Sequence, residues 1–256
     1  MKKTTIYVLL AGIIVMYAGC KKSSSNASGP ALAPKTVAAQ VALNVDQSLF
    51  GDLGFDLSQG LSAPTAFAVH TKGKVLQGLN NPDCGLVIDT TLSYSVSYNH
   101  ESFSYAGSIK FAFQCVNDVI SGFTTTDNLT ISVSIPDTSV TYKVAENLTL
   151  ASTQPGVDDA NLSLTGSLSS SASYSTGSGS SKVTGTASYS YTLSSVIYSP
   201  VDGDVVSGSA TFTTQGSGPK GSWNYQGTIT FLGNHLAKVV INGSTYTVNL
   251  QTGVVV

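Results

Sequence analysis

From Leu86 to the end of the chain, apolar and hydroxyl-bearing residues alternate with a period of two, a pattern that leaves room for little besides β-structure. Ile88, Leu92, Tyr94, Val96 and Tyr98 fall on one face of a strand, and Asp89, Thr91, Ser93, Ser95 and Ser97 on the other. Phe103, Tyr105, Ile109, Phe111 and Phe113 line the next strand. Similar runs cover Leu129 to Ile135, Val140 to Leu150, Leu162 to Tyr174, Val183 to Val196, Val205 to Thr214, Trp223 to Phe231, Ala237 to Ile241 and Tyr246 to Leu250. Turn residues separate them, and Asn242-Gly243 is a strong two-residue hairpin signal. A wet face on every strand favours antiparallel pairing. The expected fold is therefore all-β, an antiparallel meander of about ten strands forming a curved sheet, half-barrel or barrel. One helix precedes it: Val37, Val41, Val45 and Leu49 recur at four-residue spacing within Thr36 to Phe50, and Pro34 and Thr36 are reasonable start signals. That helix is expected to cover one opening of the sheet. Glycine and proline interrupt the apolar residues between 51 and 83, which read as mostly irregular.

Charged residues are 10% of the chain, which alone would suit a disordered segment, but hydrophobic residues are 41%, enough for a core. All twelve basic residues are lysine. Arginine's planar fork is the usual tool for bidentate phosphate and base recognition. Its absence argues against nucleic-acid binding, as does a net charge of −2 that becomes about −4 without Lys2 and Lys3. The histidines, His70, His100 and His235, are scattered.

The N-terminus has the layout of an export signal. Lys2 and Lys3 form a basic start, and Ile6 to Met16 an apolar stretch of about eleven residues, short for a bilayer span. It ends in Tyr17-Ala18-Gly19-Cys20, which resembles the lipobox of bacterial lipoproteins, with Tyr17 where that family prefers leucine. The resemblance implies cleavage before Cys20 and acylation of that cysteine, leaving about 235 residues. Two or more acyl chains anchor stably, since each buried methylene contributes about 0.8 kcal/mol. The expected organisation is a signal peptide over 1–19, the lipidated cysteine and a Ser/Ala/Gly/Pro tether over 20–35, and a single β-rich domain with its N-terminal helix over 36–256. Fourteen such tether residues reach roughly 20 Å as a flexible coil.

Two further stretches carry a wider resemblance: Gly19-Cys20-Lys21-Lys22-Ser23 at the start, and Trp223, Tyr225, Gly227-Thr228-Ile229-Thr230-Phe231, Val240-Ile241-Asn242-Gly243 and Tyr246-Thr247-Val248-Asn249-Leu250 at the end. Together they resemble uncharacterised outer-envelope lipoproteins of the Bacteroidota, which implies an envelope location, with the outer membrane the expected site, and carries no activity across. An acidic cluster after the cysteine favours surface display in such proteins. Lys21, Lys22 and three serines stand there instead, which leaves periplasm-facing and surface-facing anchoring both open.

One strand motif recurs 120 positions apart: Phe103, Tyr105, Gly107, Ile109 and Phe111 against Trp223, Tyr225, Gly227, Ile229 and Phe231. Either these aromatic rows line a ligand surface, or they are core strands bent at a mid-strand glycine. Gly107 and Gly227 are then expected to mark bends or bulges where a side chain would collide with its neighbours.

With Cys20 lipidated, Cys84 and Cys115 remain as an even pair in an oxidising compartment. A hairpin turning at Asn99-His100 pairs residues whose numbers sum to 199, which sets Tyr94 against Tyr105, Leu92 against Gly107 and Cys84 against Cys115. A sum of 201 preserves the faces but makes the cysteines diagonal neighbours, and one-residue slips turn them to opposite faces. A disulfide between Cys84 and Cys115 is the expectation.

Other candidates read as ordinary structure. Asp202-Gly203-Asp204 lacks the ligand ladder of a calcium loop and suits a tight turn. Asp158-Asp159 reads as a solvated loop. Glu101 and Glu146 are the only glutamates, and nothing in the sequence brings them to the spacing a glycosidase needs. No catalytic or metal-binding residues and no cofactor are expected. The leading functional expectation is a lipid-anchored, non-enzymatic structural or binding β-domain of the envelope, tied to the membrane by its lipid and binding no nucleic acid. The alternatives are a carrier of an apolar ligand, with a cavity lined by Phe103, Tyr105, Trp223 and Tyr225, and a carboxylate-based hydrolase, which would need two carboxylates converging in a cleft.

Overall fold

The computed structural model describes residues 31–50 and 83–256. Cys20, the signal segment and most of the tether lie outside the described residues, as does the stretch read as irregular except for its last residue. Helix α1 runs Pro34–Phe50. Ten strands follow: β1 Val87–Tyr98, β2 Glu101–Val116, β3 Val119–Ile135, β4 Thr138–Ser152, β5 Leu162–Thr176, β6 Val183–Ser199, β7 Asp204–Gly218, β8 Gly221–Gly233, β9 Leu236–Ile241 and β10 Ser244–Asn249. They form a single antiparallel sheet whose spatial order is the chain order, β1 to β10. The sheet is curved and does not close.

Two-residue turns hold the meander together. Asn99-His100, Asn117-Asp118, Asn234-His235 and Asn242-Gly243 have positive φ at both positions, which lets a tight hairpin match the twist of its strands. Asn and Asp tolerate this left-handed backbone better than other side chains do. The strands are 12–17 residues long from β1 to β8, against a usual five or six, and 6 residues in β9 and β10.

The β1–β2 register sums to 199: Ile88 faces Phe111, Leu92 faces Gly107 and Tyr94 faces Tyr105. Beyond the end of that ladder Cys84 and Cys115 are bonded, with Cα atoms 5.5 Å apart. Gly107 and Gly227 sit in continuous ladder, with no bulge at either. The register shifts fall instead at Gln114/Cys115, Leu164/Gly166, around Ser194–Tyr198 and at Phe231/Gly233. The expected collision is nonetheless present. A Cβ on Gly107 would run into the Asn128 carbonyl oxygen, and one on Gly227 into the Val240 carbonyl oxygen and the Phe212 ring. Both glycines are places where the neighbouring strand leans across the pleat.

The core forms on one face. Phe111, Leu164, Leu168, Tyr191, Phe212, Ile229, Val239 and Val248 are buried there, and Val37, Val41 and Val45 of α1 are fully buried with Leu49 nearly so. The helix rests on β5, β6, β9 and β10, so it lies against the apolar face of the sheet. Two hydrogen bonds seat its leader: Leu32 N–H donates to Ser222 O at 3.0 Å, and the Tyr225 hydroxyl donates to Leu32 O at 2.8 Å.

Candidate functional site

On the opposite face the alternation delivers serine, threonine and amides to the surface of six consecutive strands, β3 to β8. There the twisted sheet is hollowed into a trough. One cavity of about 540 Å³ is lined by Asn128, Lys143, Ser169, Ser190, Thr213 and Asn224 among others. A second of about 500 Å³ shares Lys143, Ser171, Ser188, Gln215 and Asn224 with it and continues past Thr141, Thr186 and Ser217. At about 4.8 Å between strands, five steps from β3 to β8 make the trough roughly 24 Å long. Asn128, Lys143, Ser190, Thr213, Gln215 and Asn224 are all exposed. Some of the lining is held in place. Asn128 donates to the Ser108 hydroxyl at 2.8 Å, Ser169 to Ala145 O at 3.3 Å, and Ser188 to Gln215 O at 3.4 Å. The lining contains one cation, Lys143, and no carboxylate, histidine or cysteine.

The apolar face contains polar inclusions that the alternation did not advertise. A cross-strand row runs Ile109, Asp127, Glu146, Leu168, Tyr191, Phe212, Gly227, Ile241 from β2 to β9. Asp127 and Glu146 thus stand directly opposite one another, 2% and 4% exposed. Thr125, on the same face, donates its hydroxyl to Asp127 at 3.1 Å. Their signal in the sequence is a charge at an apolar-phase position, between Thr125 and Leu129 and between Val144 and Leu148. Neither residue lines the trough.

Further along the row the Tyr191 hydroxyl reaches Val41 O at 3.2 Å and Asn44 Oδ1 at 3.0 Å, and Ser170 donates to the same Asn44 oxygen at 3.0 Å. Burial holds the Tyr191 phenol well above its ordinary pKa, and the neighbouring Tyr189 and Tyr142 add to the effect. At the β8–β9 turn, the His235 backbone N–H donates to Asp204 Oδ2 at 2.8 Å, and His235 Nδ1 lies 3.2 Å from Asp204 Oδ1. Asp46 of α1 feels both groups. Its carboxyl is raised mainly by burial; His235 lowers it and Asp204 raises it further.

The residues singled out from sequence are distributed as follows. Asp202-Gly203-Asp204 is a turn: Gly203 N–H donates to Ser199 O, Asp202 N–H donates to the Ser199 hydroxyl, and Asp204 is committed to His235. Asp158 and Asp159 are exposed in the β4–β5 loop. Glu101 is exposed at the start of β2 and pairs with Tyr98, while Glu146 is buried against Asp127, so the two glutamates are not brought together. Phe103 and Tyr105 cluster with Tyr94, at 6.3 and 5.6 Å between ring centroids. Trp223 and Tyr225 lie on β8, with five strands between. Trp223 is buried and donates to the Thr214 hydroxyl at 3.0 Å, and Tyr225 is bonded to Leu32. Neither cavity described above is lined by all four aromatics. Among the described residues no group of three or more His, Cys, Asp or Glu side chains could hold a metal ion, and no helix is long and apolar enough to cross a membrane. Comparison of the chain with protein-family models, curated proteins and solved structures finds no match.

Proposed function

We propose that the chain is a non-enzymatic, lipid-anchored envelope protein whose domain binds a neutral, hydroxyl-rich polymer, such as a glycan strand, along the polar trough. The observation that carries this reading is the chemistry of the lining: hydroxyls and amides from six strands with a single ammonium group, set among apolar residues such as Leu129, Val144, Ala145 and Trp223. Hydroxyl and amide groups both donate and accept, so they match the mixed donor and acceptor pattern of a sugar. The lining sets no carboxylate or histidine beside its hydroxyls to activate one as a nucleophile, which favours binding over turnover. A trough open along about 24 Å suits a segment of chain better than a small enclosed metabolite. Lipid on Cys20 and a tether of roughly 20 Å would hold this surface beside the envelope glycans.

The test is calorimetric titration of the detergent-extracted mature chain with neutral β-glucan, α-mannan and peptidoglycan fragments. At least one is expected to bind, and Gln215→Ala with Asn224→Ala to weaken it by about tenfold, the loss of one or two hydrogen bonds. Absence of binding to all three, or binding that the double variant leaves unchanged, would overturn the reading.

A further inference from the structure

The two edges of the open sheet are treated differently. At β10 the chain turns back on itself: Val256 N–H donates to Thr247 O at 2.9 Å, Asn249 N–H donates to Val254 O at 2.9 Å, and Val248 bridges Val255. That edge is occupied. At the other end β1 pairs with β2 alone among the described residues. It is 12 residues long, contains neither proline nor lysine, and every residue from Ser93 to Tyr98 is exposed. On its apolar side Tyr94, Val96 and Tyr98 are 48%, 44% and 71% exposed. Long edges with few charges recruit another strand, and stable monomers normally blunt them with lysine, proline or a bulge.

We propose that β1 is a homodimerisation edge, pairing antiparallel with β1 of a second copy about a two-fold axis normal to the sheet. The identity of the occupant follows from charge. Self-pairing brings residues near the two-fold axis against their own copies, so any charge at the strand centre would face itself. β1 has one charge, Asp89, near its start, ion-paired to Lys110 at 3.9 Å, and none from Thr90 to Tyr98. Only even sums keep the apolar faces on one side. A sum of 186 places Asp89 opposite Ser97, and a sum of 188 places it opposite Asn99 at the β1–β2 turn, so neither sets a charge against a charge. A sum of 188 sets Tyr94 against its own copy and Leu92 against Val96; a sum of 186 sets Leu92 against Tyr94 and Ile88 against Tyr98. Apolar and aromatic pairs at such positions stabilise a ladder. The product is a continuous sheet of two ten-stranded halves with both polar faces turned the same way.

Sedimentation equilibrium of the mature chain in detergent should give twice the monomer mass at micromolar concentration. Ser93→Lys with Ser95→Lys, both at exposed positions, should return the monomer mass while leaving the melting temperature within a few degrees. Under mild oxidation, Ser93→Cys or Tyr94→Cys should form a cross-linked dimer, whereas Thr245→Cys on β10 should not. A monomeric wild-type chain, a folded double-lysine variant that remains dimeric, or cross-linking through residue 245 in place of 93 and 94 would each overturn the proposal.

Discussion

Gly107 offers the sharpest test of how the long sheet is curved. Its φ is not in the left-handed region, so a substitution there would not strain the backbone of β2 itself. The obstacle is β3. The position a Cβ would take lies well inside contact distance of the Asn128 carbonyl oxygen, 2.9 Å from Leu129 Cα and 3.0 Å from the Asn128 carbonyl carbon. These are backbone atoms, and no rotamer change removes them. Gly107→Ala must therefore push β3 away from β2, disturbing the pairs Ala106–Thr130 and Ser108–Asn128 on either side. Overpacking of this kind costs about 1–3 kcal/mol, and each weakened backbone bond about 1 kcal/mol more. Removing glycine's excess freedom in the unfolded chain returns about 0.5–1 kcal/mol. The net expectation is a loss of about 2–3 kcal/mol, or a fall in melting temperature of about 4–12 °C for a domain of this size. Gly218 supplies the control, because a Cβ there would meet only the Tyr174 hydroxyl at 3.5 Å, an ordinary contact. Urea unfolding of both variants should show Gly107→Ala well below wild type and Gly218→Ala within about 0.5 kcal/mol of it. Equal stability of the two would refute the argument that β3 occupies the place of a side chain on β2.

Four other outcomes are expected. Replacing Cys84 and Cys115 together by serine should lower stability by about 3–4 kcal/mol in the chain-entropy model for a loop of this length, read by urea unfolding with and without reductant. Tyr191→Phe removes the hydroxyl that joins β6 to Val41 and Asn44 and should cost about 1–2 kcal/mol by the same measurement. Asp46 has a raised pKa in the folded state, so folding is favoured while its carboxyl is neutral and loses stability as pH rises from the unfolded pKa through the folded one. Asp46→Asn should accordingly raise the melting temperature by about 1–3 °C near neutral pH and leave it unchanged near pH 3, a small effect because solvent partly screens the group. Cys20→Ala should move the exported chain from the membrane fraction to the soluble one or trap its precursor, whereas mature wild-type protein should carry the N-terminal lipid mass.

The meander was legible because alternation is a local property: each apolar–hydroxyl run marks a strand and its faces without reference to any partner. The same locality explains what was read short. β3 begins at Val119, ten residues before Leu129, because Gly122, Thr124 to Thr126 and Asp127 blur the alternation at its start. Asn117-Asp118 and Asn234-His235 are turns as tight as Asn242-Gly243, yet without glycine they announce themselves less strongly. The β1–β2 register was legible from the phase of two apolar rows and the cysteines that end them. The trough was not, since it depends on how six neighbouring long strands twist across one another and not on any local run of residues. Nor did alternation show that Asp127 and Glu146 share a row, which depends on the β3–β4 register.

The chain-order meander also sets the order in which the molecule can be completed. Every strand pairs with its immediate neighbour in sequence, so the sheet can zip up hairpin by hairpin with small loop-closure costs. Helix α1 is the exception: its contacts with β9 and β10 lie near the far end of the chain, and Tyr191 meets Val41 across 150 residues. The first described element to be synthesised is thus the last to find its seat. During synthesis the helix should wait, apolar stripe uncovered, until the C-terminal hairpin has formed. Pulse-labelling hydrogen exchange should show α1 protected later than the β1–β2 hairpin, and the reverse order would contradict this sequence of events.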